Sequence, residues 1–138
     1  MKIKAPKFKY ENVLLIDDNE LDNFINQKMI EANHFSGRIY TNTSAISAIE
    51  FLNNLLVMHP SPDKLWPEVI FIDINMPLID GFQFVKQFNN AFRKNMPDTK
   101  LVILTSSVYH EDRVKAKEIS TEMIFLNKPL NASALLGI

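Results

Sequence analysis

Four unbroken apolar runs divide the chain: Val13 to Ile16, Val69 to Ile72, Leu101 to Leu104 and Met123 to Leu126. None alternates with polar residues, so each reads as a strand covered on both faces, as in a parallel sheet flanked by helices. A fifth run, Arg38-Ile39-Tyr40-Thr41, is more polar and suits a strand at a sheet edge. Helical spacing fills the gaps. Leu21, Ile25, Met29 and Ala32 follow the N-cap residue Asn19, with Asp22 in the first turn. Ala45, Ile49, Leu52 and Leu56 follow Thr43-Ser44, and Phe82, Val85, Phe88 and Phe92 follow Asp80-Gly81. His110 to Ile119 is different, because its charged residues leave only Val114, Ala116 and Ile119 as apolar anchors. It should be short and weakly docked. A last helix is expected over Asn131 to Ile138.

Strand and helix thus alternate five times, which predicts an α/β fold: one doubly wound, five-stranded parallel sheet with helices on both faces and right-handed crossovers. The expected strand order is 2-1-3-4-5, the flavodoxin-like arrangement. The segment 59–67 carries three of the seven prolines and reads as an exposed loop before the third strand. Residues 1–11 read as an N-terminal extension and 12–138 as the single domain.

Composition narrows the function without naming it. A chain of 138 residues is long enough for one well-buried core, and 46% apolar with 22% charged residues is ordinary for a globular protein. The net charge of -1 gives no electrostatic reason to expect nucleic acid or an anionic membrane as partner. The absence of cysteine excludes disulfides and thiolate chemistry. His34, His59 and His110 have no metal-ligand spacing. No apolar run nears the ~20 residues of a membrane-spanning helix, and the lysine-rich start is followed by no apolar stretch, so it is not a secretory signal. The expected setting is the cytoplasm.

In an open parallel sheet, ligands bind beyond the carboxyl ends of the strands. There the first run is followed by Asp17-Asp18, the second by Asp73-Ile74-Asn75-Met76-Pro77, the third by Thr105-Ser106 and the fourth by Asn127-Lys128-Pro129. Any one of these could simply begin a helix or end a strand. Together they crowd three carboxylates, which calls for a cation. Oxygen ligands without His or Cys favour magnesium, whose shell usually keeps waters and a phosphate oxygen. A carboxylate nucleophile, a metal, a lysine and a hydroxyl suffice for phosphoryl transfer.

In this arrangement the chain resembles the receiver domains of two-component response regulators. The match runs from about Val13 to Leu136 and rests on Asp17-Asp18, the run from Asp73 to Gly81, Thr105 and Lys128-Pro129, in family order. The resemblance implies a stand-alone, CheY-like phosphorelay switch in which Asp73 accepts phosphate from a sensor histidine kinase or phosphotransfer protein. It implies Mg²⁺ held directly by Asp18 and Asp73, through water by Asp17, and by the backbone carbonyl of Asn75. Thr105 and Lys128 would contact the phosphoryl oxygens, and the Lys128-Pro129 bond would be cis. On phosphorylation Thr105 would move and Phe125 would turn into the space it leaves, altering the binding of a downstream protein. Phe125 also has a plain reading as core, since an aromatic in an apolar run is usually that. Ser107 and the side chain of Asn75 would lie where water approaches the phosphoryl group. The resemblance implies a monomer or weak homodimer that assists its own phosphorylation and dephosphorylation without being a metabolic enzyme.

Two other classes stay open. A haloacid-dehalogenase type phosphohydrolase also forms an aspartyl intermediate, but places a second aspartate where this chain has Asn75. A scaffold with a vestigial site would not need Asp17, Asp18, Asp73, Thr105 and Lys128 together. The segment His110 to Ile119 is the expected moving part, lying between Thr105 and Phe125.

Overall fold

The computed structural model describes residues 7–59 and 64–138. Along them run β1 (Tyr10–Ile16), α1 (Glu20–Ala32), β2 (Ser36–Asn42), α2 (Ala45–Met58), β3 (Val69–Ile72), α3 (Gly81–Ala91), β4 (Lys100–Thr105), α4 (His110–Ile119), β5 (Ile124–Asn127) and α5 (Ala132–Leu136). The sheet order is β2-β1-β3-β4-β5 with every neighbouring pair parallel, the flavodoxin-like arrangement expected. From the centre of the sheet the chain steps to β2 on one side of β1 and to β3 on the other, and this switch in strand order opens a crevice at the carboxyl ends of β1 and β3.

Successive residues of a strand point to opposite faces, so an unbroken apolar run feeds two cores at once. Leu14, Ile16, Ile70, Ile72 and Ile103 pack with Leu52 of α2 and with Phe84 and Phe88 of α3. Val13, Leu15, Val69, Phe71, Val102 and Leu104 pack with Ile30 of α1 and Leu135 of α5. β1 begins at Tyr10, so Tyr10 and Glu11 lengthen a strand that pairs with β2 from Ser36 onward.

Three local expectations are corrected. On α1 the apolar stripe faces outward: Leu21 is 64% exposed, Phe24 56% and Ile25 43%, while Asn23, Asn26 and Ile30 face in. The asparagines are buried because backbone groups at the strand ends need partners. Asn23 Nδ2 donates to the carbonyls of Asp17 (3.0 Å) and Asn42 (3.4 Å), and Asn26 Oδ1 accepts from the Leu130 N–H (3.4 Å). Next, residues 60–63 of the expected exposed loop lie outside the described residues, but Trp66 and Pro67 are buried. The Trp66 Nε1–H donates to the His59 carbonyl at 3.0 Å, and a large aromatic with its polar tip satisfied belongs inside. Finally, β5 is covered on neither face completely: Ile124, Phe125 and Leu126 are half-buried. It is an edge strand between the weakly docked α4 and an α5 of only five residues, shorter than the eight expected.

Candidate functional site

The carboxyl ends of β1 and β3 bring two aspartates side by side. The Asp17 N–H donates to the Asn42 carbonyl (3.1 Å) and the Asp73 N–H to the Ile16 carbonyl (3.0 Å), so the sheet ladder carries one residue past each strand. Asp17 Oδ1 accepts from the Asn19 N–H at 2.9 Å, and Asn19 in turn caps α1 through the Asp22 N–H. Asp17, Asp18 and Asp73 each present a carboxylate oxygen within 4.8 Å of the others; Asp17 and Asp73 are buried and Asp18 is exposed.

The loop after Asp73 is tightly built. The Ile74 carbonyl accepts the N–H groups of both Met76 (3.1 Å) and Gly81 (2.9 Å). Asp80 and Gln83 then cap α3 reciprocally, the Gln83 N–H on Asp80 at 2.8 Å and the Asp80 N–H on Gln83 at 2.9 Å. A Cβ at Gly81 would strike the Asp73 carbonyl and lie 2.9 Å from Ile74 Cα, so the helix start can approach the strand end this closely only as glycine. Asn75 stands on the exposed side of this loop, two residues beyond Asp73.

Thr105 and Lys128 reach the same rim from the ends of β4 and β5. The Lys128 N–H donates to the Thr105 carbonyl at 2.9 Å, and the Lys128-Pro129 bond is cis, as the resemblance implied. The Lys128 ammonium forms a close ion pair with Asp17 and lies 2.9 Å from Asp22 Oδ2 and 3.5 Å from Asp73 Oδ2. Thr105 is fully buried, and its hydroxyl accepts from the Ser107 N–H at 3.2 Å. The Ser107 hydroxyl donates to the Asp112 carboxylate, which commits it to α4 and not to the water that the resemblance implied. The Asn127 amide donates to the carbonyls of Ser107 (2.7 Å) and Thr105 (3.4 Å) and accepts from Arg113 (2.6 Å). The Arg113 guanidinium also lies over the ring of half-buried Phe125, 4.6 Å from its centroid.

Burial dominates the electrostatics. It pushes the Asp17 carboxyl above its ordinary value, with nearby Asp73 adding to the rise, although Lys128 and the Asn19 N–H pull the other way. Burial also works against the charge on Lys128, yet Asp17, Asp22 and Asp73 together hold it above its ordinary value. The two directions agree. One ammonium serves several carboxylates, so the cation is over-compensated and the buried Asp17 is not.

Asp73 Oδ1 is buried with no hydrogen-bond partner among the described residues, an expensive state for a carboxylate oxygen. An all-oxygen donor set with an orphaned buried carboxylate oxygen and an ammonium already among the carboxylates fits a hard divalent cation. Asp17, Asp18, Asp73, Thr105 and Lys128, the five residues expected here from the sequence, all stand on this rim. In the sequence Asp22 reads only as a helix-start residue and Asn127 only as a strand-end residue; the pairing of Asn127 with Arg113 depends on how α4 lies across β5.

The family model for the response regulator receiver domain matches residues 13–138. The chain is 31% identical over 128 residues to the sensor histidine kinase CheAY of Helicobacter pylori, covering 91% of this chain and 14% of that protein. It is 27% identical over 127 residues to the hybrid signal transduction histidine kinase L of Dictyostelium discoideum, covering 91% of this chain and 7% of that protein. It therefore spans only a small part of the length of these two relatives. Among solved structures, a two-component response regulator from Cytophaga hutchinsonii superposes with a TM-score of 0.82 at 34% identity, covering 96% of this chain and 94% of that one. The chemotaxis protein CheY4 of Vibrio cholerae gives 0.67 at 25% identity, covering 93% and 94%. The chain belongs to the response regulator receiver family, the signalling switches of two-component systems.

Proposed function

We propose that the chain is a phosphorylation-controlled switch in which Asp73 accepts a phosphoryl group from the phosphohistidine of a sensor histidine kinase or phosphotransfer protein. An Asp73 carboxylate oxygen attacks phosphorus as the bond from phosphorus to the imidazole nitrogen breaks, and the imidazole leaves with the electron pair and regains its proton from solvent. Asp18 and Asp73, with Asp17 and the Asn75 carbonyl, would hold Mg²⁺. Bound there, Mg²⁺ neutralises charge on the transferring phosphoryl oxygens. Lys128 takes another phosphoryl oxygen, and the Thr105 hydroxyl leaves the Ser107 N–H to take the third. Phe125 then turns inward, which requires Arg113 to release its ring.

The observation that carries this reading is the buried, unpartnered Asp73 Oδ1, held beside Asp17 and Asp18 by the close approach of Gly81. Exposed Leu21, Phe24 and Ile25 on α1, which begins beside the acidic pair, offer an apolar landing for a protein donor. The switch begins by Tyr10, where β1 starts and pairs with β2, two residues before the boundary at residue 12 expected from the sequence. It works in the cytoplasm as a monomer or weak homodimer, signals through a downstream protein, and has no nucleic-acid or membrane contact of its own. Among the described residues no helix is long and apolar enough to cross a membrane.

Incubation with Mg²⁺ and acetyl phosphate, followed by intact-mass measurement, tests the reading. The expected result is the gain of one phosphate that Asp73→Asn abolishes. Rapid turnover of assorted phosphate esters would indicate a hydrolase instead, and no modification by any donor would leave only a scaffold.

A further inference from the structure

We propose that Asp22 is a positioning residue that draws the Lys128 ammonium off Asp17 and Asp73, so that a divalent cation can take their oxygens. The inference rests on the cation role proposed above for Asp17, Asp18 and Asp73. Lys128 now does two incompatible things at once. Its ammonium pairs closely with Asp17 and lies 3.5 Å from Asp73 Oδ2, where it neutralises the carboxylates a metal would need. A divalent cation placed on those oxygens would repel an ammonium only a few ångströms away. The lysine has to move, and its backbone cannot follow, because its N–H is tied to the Thr105 carbonyl at 2.9 Å.

Asp22 gives the ammonium somewhere to go. Its Oδ2 lies 2.9 Å from Lys128 Nζ, yet Asp22 is outside the trio whose oxygens gather within 4.8 Å. Its position is fixed by the first turn of α1, where its N–H donates to the Asn19 cap at 3.1 Å. Its side chain is one-third exposed, against 5% for Asp17, so charge held there costs less desolvation. From Asp22 the ammonium stays at the rim, ready for a phosphoryl oxygen, without competing for the metal's ligands.

Removing the Asp22 charge would lower cation affinity through space as well, so a single variant does not separate the two causes. A double-mutant cycle does. Mg²⁺ affinity is measured by titration calorimetry on the full chain, on Asp22→Asn, on Lys128→Met and on the double variant, each checked for its fold by circular dichroism, with Asp22→Ser as a second replacement. The expected result is a loss of about fivefold on Asp22→Asn when Lys128 is present, shrinking to about 1.5-fold or less in the Lys128→Met background. An equal loss in both backgrounds, or none with Lys128 present, would overturn the role. Failure of the unaltered chain to bind Mg²⁺ at all would instead remove the cation reading, and this inference with it.

Discussion

Helices α3 and α4 follow neighbouring strands and pack against the same face of the sheet, but they are attached in opposite ways. α3 buries Phe82, Phe84, Val85 and Phe88, starts with a reciprocal cap, and begins at a glycine pressed against the Asp73 carbonyl. α4 buries Ala116 alone and has no side-chain cap at Tyr109. Polar contacts hold it instead: Asp112 to Ser107, Arg113 to Asn127, and Lys117 Nζ to the Met123 carbonyl at 3.0 Å. Each buried apolar side chain is worth about 1.5–3 kcal/mol, whereas a hydrogen bond nets about 1 kcal/mol and re-forms readily with new partners. The helix that follows Asp73 is built to stay still. The helix beside Thr105 and Phe125 is held mainly by contacts that re-form easily, which gives it the lower local stability of the two.

The largest test of that contrast is apolar truncation. Phe88→Ala should lower stability by about 3–5 kcal/mol in denaturant unfolding. Val114→Ala on α4, at a residue 42% exposed, should change it by less than ~0.5 kcal/mol. Comparable losses would mean that α4 is docked as firmly as α3. Gly81→Ala comes next. The added methyl must push on the Asp73 carbonyl and Ile74, costing about 1–3 kcal/mol, and it should slow the gain of phosphate measured by mass. Unchanged stability would show that the loop after Asp73 yields more easily than its packing implies.

Smaller in stability but opposite in function is Arg113→Ala. Losing the contact over Phe125 should cost about 0.5–1 kcal/mol, while beryllofluoride with Mg²⁺, a mimic of the phosphoryl group, should bind about 2–5-fold more tightly because the unphosphorylated arrangement has lost a hold. Weaker binding would place Arg113 on the side of the phosphorylated state.

The smallest expected effect is in pH, and it asks whether the lysine at the end of β5 is held by charge. Lys128 titrates above its ordinary value of 10.5, so the stability its charge contributes is complete below that pH and is lost as pH rises through the higher folded value. Asp17 has the reverse consequence. Its raised value makes its charge a cost in the folded state, and that cost is relieved on acidification toward its ordinary 3.8. Lys128→Met should therefore flatten the alkaline part of the stability profile. An unchanged slope in that variant would show that other groups produce it.

Sheet order, edge strand and rim residues were legible in the sequence because each rests on a strong local signal: unbroken apolar runs for buried strands, and polar residues directly after them for the rim. What was illegible depended on partners distant in the chain. Asparagine counts as polar in any periodicity, so nothing local shows that Asn23 and Asn26 turn inward to serve the carbonyls of Asp17 and Asn42 and the N–H of Leu130, leaving Leu21 and Ile25 outside. Prolines around Trp66 suggest an exposed loop, and only the His59 carbonyl explains why the indole is inside. Asp22 meets Lys128 across 106 positions of chain, a contact set by the fold and not by spacing.

The division of labour between α3 and α4 is tested most directly by amide hydrogen exchange on the full chain with Mg²⁺, with and without beryllofluoride. Exchange rates should change in residues 105–119 and 124–127, which hold Thr105, α4 and Phe125, and stay constant in residues 81–91 of α3. A response confined to α3, or spread evenly over both helices, would contradict the account.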